Sequence, residues 1–307
     1  MSDGDATTRT LDGPPGAASL YPRAVAGSYA LPFLRKVPVV GPGQVTGLPD
    51  LAFALRDVGL DAGHVADYAR VCGFTLRDAL PPTYLHVLAF PLQMRLMTDA
   101  SFPFGVLGLV HVENRIDVLR PVTTGEPVSF RAHAEDLRDH PRGKQFDMVS
   151  IATVGDERVW EGRSTYLRRG GGSGGSGERA KDDNKDERAA PPVAEAIWKV
   201  PGDIGRRYGA VSGDRNPIHL HNLSAKAFGM PRAIAHGMWL KARALAQLEA
   251  ELPPALTVDV RFKLPVLLPA TVGFSSAPGD GGGRTFAIHD AKQGLPHLEG
   301  RFAARVS

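Results

Sequence analysis

The stretch Tyr208-Gly-Ala-Val-Ser-Gly-Asp-Arg-Asn-Pro-Ile-His219 decides how the rest of the chain is interpreted. Ser-Gly-Asp and Asn-Pro both form turns readily, so we expect an irregular loop here rather than a helix or strand. Asp214 and His219 are five residues apart, and on a straight helix that spacing would not place both on one face. On a loop the carboxylate and the imidazole can converge on one water molecule. That pair is the minimum equipment for moving protons on and off carbon and oxygen.

The same stretch resembles the Tyr-x-x-x-Ser-Gly-Asp-x-Asn-Pro-Ile-His motif of the MaoC-like, or R-specific enoyl hydratase, family. Downstream, the segment Ala235-His-Gly-Met238 resembles the His-Gly pair at the start of that family's long central helix. The resemblance covers roughly residues 195–305. It implies a hot-dog fold, in which an antiparallel sheet wraps a long helix. It also implies reversible hydration of a trans-2-enoyl thioester to the (3R)-hydroxyacyl thioester, with no cofactor.

This resemblance assigns catalysis to Asp214 and His219 and leaves open which of them is the acid and which the base. A further group of candidate substrate-binding and oxyanion residues consists of Gly237, Asn216, Ser212, Tyr208 and His236. The backbone N–H of Gly237, at a helix N-terminus, could stabilise an oxyanion. The amide of Asn216 serves the turn and could also orient the substrate or the water. We expect Tyr208 and Ser212 to pack behind the site, and His236 to be a structural neighbour of the helix cap.

Other kinds of site are disfavoured by the spacing of the relevant residues. His219 and His221 lie two apart with no third ligand at a suitable spacing, so we expect no metal. The sequence lacks a Gly-x-Ser-x-Gly segment, which disfavours a serine hydrolase. Cys72 is expected to be a small buried apolar residue.

Bulk composition describes an ordinary globular protein of 307 residues, a length typical of about two domains. The net charge of +3 does not argue for nucleic acid and is compatible with an anionic thioester. The single cysteine excludes an intrachain disulfide and fits a reducing, cytoplasmic compartment. We find no run of about 18 apolar residues and no secretory signal in the first twenty, so we expect neither a membrane span nor export.

A sharp change in composition divides the chain. Residues 170–190 begin with Gly and Ser and continue with charged residues, which is typical of a flexible linker. We therefore expect a disordered tail over residues 1–20, one domain over 21–169 and a catalytic domain over 191–307. Periodicity predicts helices over 61–74, 85–97, 204–211 and 234–252, with strands in the period-two segments between them.

The two halves are related by duplication. Tyr68-x-x-x-Cys-Gly-Phe74 matches Tyr208-x-x-x-Ser-Gly-Asp214, and further matches keep an offset between 138 and 144. This predicts an α+β double hot-dog, either a monomeric pseudo-dimer or a homodimer. The first copy is degenerate, because Phe74 stands in place of the acid and Ala79 in place of the base.

Two alternatives to a hydratase remain open at this point. A hot-dog acyl-thioesterase would use the same acyl pocket for hydrolysis, but such enzymes lack the Asp-x-Asn-Pro-x-His arrangement. A non-catalytic protein that binds an acyl thioester, carried by CoA or by acyl carrier protein, would not need Asp214 or His219. We expect no nucleic-acid partner.

Overall fold

The computed structural model describes residues 7–15, 47–106, 108–170, 193–279 and 282–305. Its strands follow the period-two segments of the sequence, because alternation lets one face of a strand pack inward. The strands are β1 (Thr7–Thr10), β2 (Leu51–Val58), β3 (Leu109–Val118), β4 (Val128–His140), β5 (Gly143–Val154), β6 (Glu157–Arg169), β7 (Ala196–Val200), β8 (Leu256–Phe262), β9 (Ala270–Pro278), β10 (Arg284–Asp290) and β11 (Pro296–Ala304).

The helices confirm most of the sequence prediction. They are α1 (Ala62–Cys72), α2 (Tyr84–Met97), α3 (Ile204–Ser212), α4 (Pro217–Leu220), α5 (Asn222–Ala227) and α6 (Gly237–Gln247), with a 3-10 turn at Glu249–Glu251. The expected start of α6 at Ile234 is wrong, because Ile234 pairs with Leu267 in an isolated β-bridge. None of the helices among the described residues has the length and apolar character needed to cross a bilayer.

All the described strands join one sheet in the order β1-β2-β4-β5-β6-β3-β8-β11-β10-β9-β7. Every neighbouring pair is antiparallel except β1 and β2, which are parallel. The order β2-β4-β5-β6-β3 in the first half is repeated as β7-β9-β10-β11-β8 in the second. The sheet therefore contains two copies of one five-stranded unit, joined where β3 meets β8.

Each unit wraps one helix, which completes the double hot-dog fold. In the first half α2 packs against β2, β4 and β5, and in the second half α6 packs against β10 and β11. Most residues of α2 are buried on every side of the helix, as expected for a helix enclosed by a sheet. Pro91 lies inside α2, where it removes one backbone hydrogen bond without ending the helix.

Two segments, residues 1–20 and 170–190, are predicted from the sequence to lack regular structure. The disordered tail predicted for residues 1–20 is wrong for Thr7–Thr10, because this segment pairs with Leu51–Ala54 as β1. A parallel edge strand was not visible in the sequence, since four polar residues show no apolar alternation. The linker predicted over residues 170–190 lies outside the described residues, apart from Gly170.

The join between β3 and β8 has an approximate two-fold symmetry. Ile116 and its repeat equivalent Val260 are 144 residues apart, and the same offset separates Arg115 from Asp259. In the sheet Arg115 stands opposite Asp259, so this position faces its own repeat equivalent. The local two-fold axis therefore passes between Arg115 and Asp259, whose side chains approach to 3.6 Å.

A buried lysine ties α6 to this join. The Nζ of Lys241 donates to the carbonyl oxygen of Asn114 at 3.1 Å, to Asn114 Oδ1 at 2.6 Å and to the carbonyl oxygen of Val258 at 3.2 Å. Three acceptors match the three donors of an ammonium group. Burial lowers the pKa of Lys241 well below its usual value, and these acceptors offset part of the cost of burying the charge. The central helix of one half is thereby fastened to a strand of the other.

We predict that Lys241→Met destabilises the protein, because it leaves three buried carbonyl oxygens without their donor. The expected loss is about 2 kcal/mol or more, measured as a lower urea midpoint at unchanged slope. Lys199→Met, at an exposed position of β7, is the matched control and should shift the midpoint little. Equal midpoints for both variants would contradict the proposed importance of Lys241.

Candidate active site

The motif from Tyr208 to His219 forms the end of one helix, a short loop and the start of another. α3 ends at Gly213, whose φ of 73° is the left-handed conformation that favours glycine. Asn216 is extended and its side chain accepts from the N–H of Ile218 at 3.3 Å, so it caps α4, which begins at Pro217. The expectation of one irregular loop is therefore wrong for the two ends of the motif. His219 is presented from a one-turn helix, which fixes its direction more firmly than a loop would.

Asp214 and His219 do converge. Their polar atoms and those of His236 lie within 4.8 Å of one another, a separation that one water molecule can bridge. Nδ1 of His219 lies 2.8 Å from the carbonyl oxygen of Ile234. Since a carbonyl can only accept, Nδ1 must carry the hydrogen, and in the neutral ring Nε2 is left as an acceptor. Burial lowers the pKa of His219, while the nearby Asp214 opposes that shift.

His236 holds the loop from the opposite side. Its ring stacks on that of His219 with 3.7 Å between centroids and 25° between planes. Its Nε2 donates to the backbone carbonyl oxygen of Asp214 at 3.0 Å. Burial lowers the pKa of His236 to about 3, so the ring is neutral at physiological pH. The predicted position of His236 at the helix cap is confirmed, because His236 is the N-cap residue of α6.

The stacked rings argue against a metal at this cluster. An imidazole binds a metal in the plane of its ring, and two rings stacked face to face cannot both direct a lone pair at one ion between Asp214, His219 and His236. The two histidines are better suited to hydrogen bonding.

The remaining candidate residues lie around this cluster in different roles. Ser212 Oγ accepts from the N–H of Asp214 at 3.2 Å and thus shapes the loop. Tyr208 is buried with its ring 5.0 Å from that of His236. Gly237 is the first residue of α6, where backbone N–H groups have no partner within the helix. A side chain at Gly237 would meet the ring of Phe262 at 2.9 Å, so packing alone requires glycine here.

Two glycines of α3 let the loop fold back onto the helix, and sequence reasoning missed both. A Cβ at Gly205 would collide with the carbonyl oxygen of His219, and one at Gly209 would lie 2.8 Å from the carbonyl oxygen of Asp214. Their spacing of four places both on one face of a helix, and that was the available signal.

The first half of the chain supplies a wall of the site, which the motif could not reveal. The charge of Asp214 acts on the pKa values of His86, His111 and Tyr166, all of which belong to the first half. Burial is the larger cause in each case, lowering the pKa of both histidines and raising that of Tyr166. The ring of His111 also lies 4.9 Å from that of Phe262, which packs against Gly237, so a side chain of the first half reaches the candidate site across the join.

The equivalent place in the first half carries different residues. Gly73 ends α1 in the left-handed conformation, as Gly213 ends α3, so Phe74 does occupy the position of Asp214. The expected equivalence of Ala79 with His219 is wrong. Ala79 pairs with Thr123 as Ile234 pairs with Leu267, and the first half has no counterpart of the segment that forms α4 and α5.

Comparison with known proteins gives the chain a family. Residues 186–294 match the family model described as MaoC like domain. The 3-hydroxyacyl-thioester dehydratase X of Mycobacterium tuberculosis (strain ATCC 25618 / H37Rv) is 41% identical over 251 residues, covering 82% of this chain and 88% of that relative. The chain belongs to the MaoC-like dehydratase family.

Two further comparisons agree with this membership of the MaoC-like dehydratases. The enoyl-CoA hydratase ChsH3 of the same organism is 30% identical over 194 residues, covering 60% of this chain and 65% of that relative. The crystal structure of HtdX from M. tuberculosis matches with a TM-score of 0.73 and 36% identity over 83% of this chain and 100% of that one. The two-fold arrangement seen here is thus shared with an experimentally determined MaoC-like structure.

We predict that Gly205→Ala lowers kcat for hydration of a trans-2-enoyl thioester at least tenfold, because the added methyl group pushes α4 and His219 away from Asp214. Circular dichroism should remain unchanged, since alanine favours the helix more than glycine does. Gly202→Ala is the control, because its Cβ would meet Pro269 only at 3.9 Å. Wild-type turnover in Gly205→Ala would show that the close approach of α3 and α4 does not matter.

Proposed function

We propose that Asp214 and His219 catalyse the reversible hydration of a trans-2-enoyl thioester to the (3R)-hydroxyacyl thioester, in fatty-acid or polyketide metabolism. The observation that carries this proposal is the shared volume of the two side chains, with His219 Nε2 left as an acceptor by the bond from Nδ1 to Ile234. Family membership supplies the reaction class, and the geometry supplies the residues.

The proposed step uses a single water molecule. Its oxygen bonds to C3 of the enoyl group while one of its protons passes to Nε2 of His219. Asp214 accepts a hydrogen bond from the other hydrogen and stabilises the imidazolium, as its charge favours protonated His219. The same proton then passes from Nε2 to C2 of the enolate. One water is consumed, the double bond is lost and both side chains return to their starting state. Dehydration follows the same path in reverse.

The negative charge that develops on the thioester oxygen during this step needs a donor. We assign this role to the backbone N–H of Gly237, because the first N–H groups of α6 have no partner within the helix and the helix dipole favours an anion there. Asn216 contributes mainly by capping α4 and so fixing His219, and Ser212, Tyr208 and His236 contribute by holding the loop.

The rival functions fit these contacts less well. A thioesterase needs a water directed at the carbon of the thioester carbonyl. In the arrangement proposed here, Asp214 and His219 lie beside the enoyl carbons instead. A non-catalytic binding protein would gain nothing from a buried imidazole pair stacked at 3.7 Å beside a carboxylate. We therefore retain the hydratase, with residues 191–307 as the catalytic domain and 21–169 as the supporting domain.

We also propose that the thioester carrier is held by cations around the catalytic loop. Arg206, Arg207, Lys226 and Arg232 are exposed and surround α3 to α5. None of the four forms an ion pair with another described residue, although Arg206 donates to the carbonyl oxygen of Leu220 at 3.1 Å. Cations in this position suit the phosphate groups of CoA or of the prosthetic arm of an acyl carrier protein. Of a monomeric pseudo-dimer and a homodimer, we propose the monomeric pseudo-dimer as the working unit, because the join of β3 and β8 pairs two hot-dog units within one chain.

The catalytic assignment predicts that Asp214→Asn and His219→Ala each lower kcat by a factor of about 10² to 10⁴ while the fold persists. The measurement is the loss of enoyl absorbance with a short-chain trans-2-enoyl-CoA. Asp203→Asn and His221→Ala are matched controls at the start of α3 and the end of α4. Near-normal turnover in Asp214→Asn or His219→Ala would exclude the mechanism.

The carrier assignment predicts that reversing the charge of Arg207 and Lys226 together raises KM for a CoA thioester about tenfold with little change in kcat, an effect that fades at high salt. Arg9→Glu, at the opposite edge of the sheet, should change neither constant. The same KM measurement is repeated with an acyl carrier protein thioester. The preferred carrier is the one whose KM rises more when the two charges are reversed. Unchanged KM values with both carriers would place carrier binding elsewhere.

A further inference from the structure

Two histidines of the first half carry buried ring nitrogens that the proposed reaction does not use. Nε2 of His111 and Nδ1 of His86 have no hydrogen-bond partner among the described residues. His111 lies at the start of β3 and His86 in the first turn of α2, and their rings are 6.4 Å apart. A buried polar atom without a partner costs about 1–3 kcal/mol, so such atoms concentrate where a ligand or water completes them.

The two histidines lie near the candidate active site. The charge of Asp214 acts on the pKa of each of them, in the direction opposite to burial. The ring of His111 is 4.9 Å from that of Phe262, the same ring that packs on Gly237. His111 is thus separated by one aromatic side chain from the helix terminus assigned to the thioester oxygen.

His111 is only partly buried, as are Asp214 and Phe262. The other ring nitrogen of His111 is engaged by the backbone of Glu113, which fixes the ring and leaves Nε2 as its available group.

From His111 a row of stacked aromatic rings runs into the first half. His111 stacks on Tyr166 with 4.8 Å between centroids, Tyr166 on Phe146 with 5.7 Å, and Phe146 on Phe104 with 5.7 Å. Tyr166 and Phe146 are buried, so this row makes the surroundings of His111 apolar, and the two histidines are the polar groups beside it.

Both rings act as neutral hydrogen-bonding groups. Burial lowers the pKa of His111 to about 3 and that of His86 to about 4, and the nearby Lys241 lowers both further. Because Nδ1 of His111 donates to the backbone of Glu113, Nε2 of the neutral ring is an acceptor, which suits the donor of a hydroxyl and offers nothing to a ketone or a carboxylate.

We propose that His111, with His86 behind it, is a specificity-determining residue that hydrogen-bonds an oxygen substituent on the acyl chain beyond C3. This proposal rests on the proposed hydratase function and names its substrate class, which is enoyl thioesters whose chain carries a hydroxyl. A site built to hydrogen-bond such an oxygen discriminates strongly against the chain that lacks it, because the buried nitrogens would then stay unpaired.

The test compares trans-2-octenoyl-CoA with its analogues that bear a hydroxyl at C5, C6 or C7. For wild type we expect kcat/KM to be at least tenfold higher for one hydroxylated chain than for the plain chain. His111→Phe, which keeps the ring stack, should remove this preference by a loss on the hydroxylated chain alone. His111→Gln should keep part of it, and His140→Phe, at the tip of the β4–β5 hairpin, should leave it intact. A wild type without preference, or an equal loss on all chains in His111→Phe, would overturn the proposal.

A binding measurement tests the role of His111 independently of the catalytic assignment. Isothermal titration of the wild type and of the His86→Leu and His111→Phe variants with octanoyl-CoA and its hydroxylated analogues needs no turnover. If the wild type binds a hydroxylated chain more tightly and either variant loses this difference, the proposal is supported. This holds even if no enoyl thioester is hydrated, because the absence of hydration would reject only the proposed function. Equal binding of plain and hydroxylated chains would reject the role of His111 whatever the activity.

Discussion

The antiparallel pairing of β3 with β8 is the contact on which the rest of the molecule depends. It converts two five-stranded units into one sheet and sets the two central helices in fixed relation. Because His111 lies near the start of β3 and Phe262 ends β8, the same pairing brings the first half to the candidate active site of the second. A shift of register by one residue would turn these side chains to the opposite face and separate the two walls of the site.

The buried polar contacts at this join explain why its register is specific. Lys241 reaches from α6 to Asn114, and Asn114 in turn donates to Ser164 on β6 at 3.1 Å. Backbone pairing alone would tolerate other registers, but this network of side-chain hydrogen bonds is satisfied in only one of them. Apolar packing supplies the bulk of the stability of the join, and the hydrogen-bond network selects its register.

Sequence reasoning succeeded where the information was local. Asp214 and His219 could be predicted to meet because a twelve-residue motif fixes the turn between them, and the extended backbone of Asn216 follows from Pro217. The one-turn helix α4 was missed, although Asn before Pro is a recognised way to begin a helix.

The other wall of the site could not be predicted in this way. His111 lies about 100 residues before Asp214, in a half that had no catalytic motif of its own. Its contact with the site is created only by sheet pairing between the halves, and no local pattern encodes that pairing. The repeat offset predicted the duplication, but offset alone could not show that Ala79 corresponds to Ile234 rather than to His219.

Duplication within one chain removes a constraint that a symmetric dimer must obey. In a homodimer the position on the two-fold axis faces its own copy, and a charged residue there would meet a like charge. Here the position holds Arg115 opposite Asp259, an attraction that two identical subunits could not form. The same freedom extends to the sites. A cavity of about 260 Å³ lies beside Phe74 and Trp160 of the first half, but the described residues there include no counterpart of the segment that carries His219. Under the proposed function only the second pocket is catalytic, so the residues of the first half are free to vary with the acyl chain rather than with the chemistry.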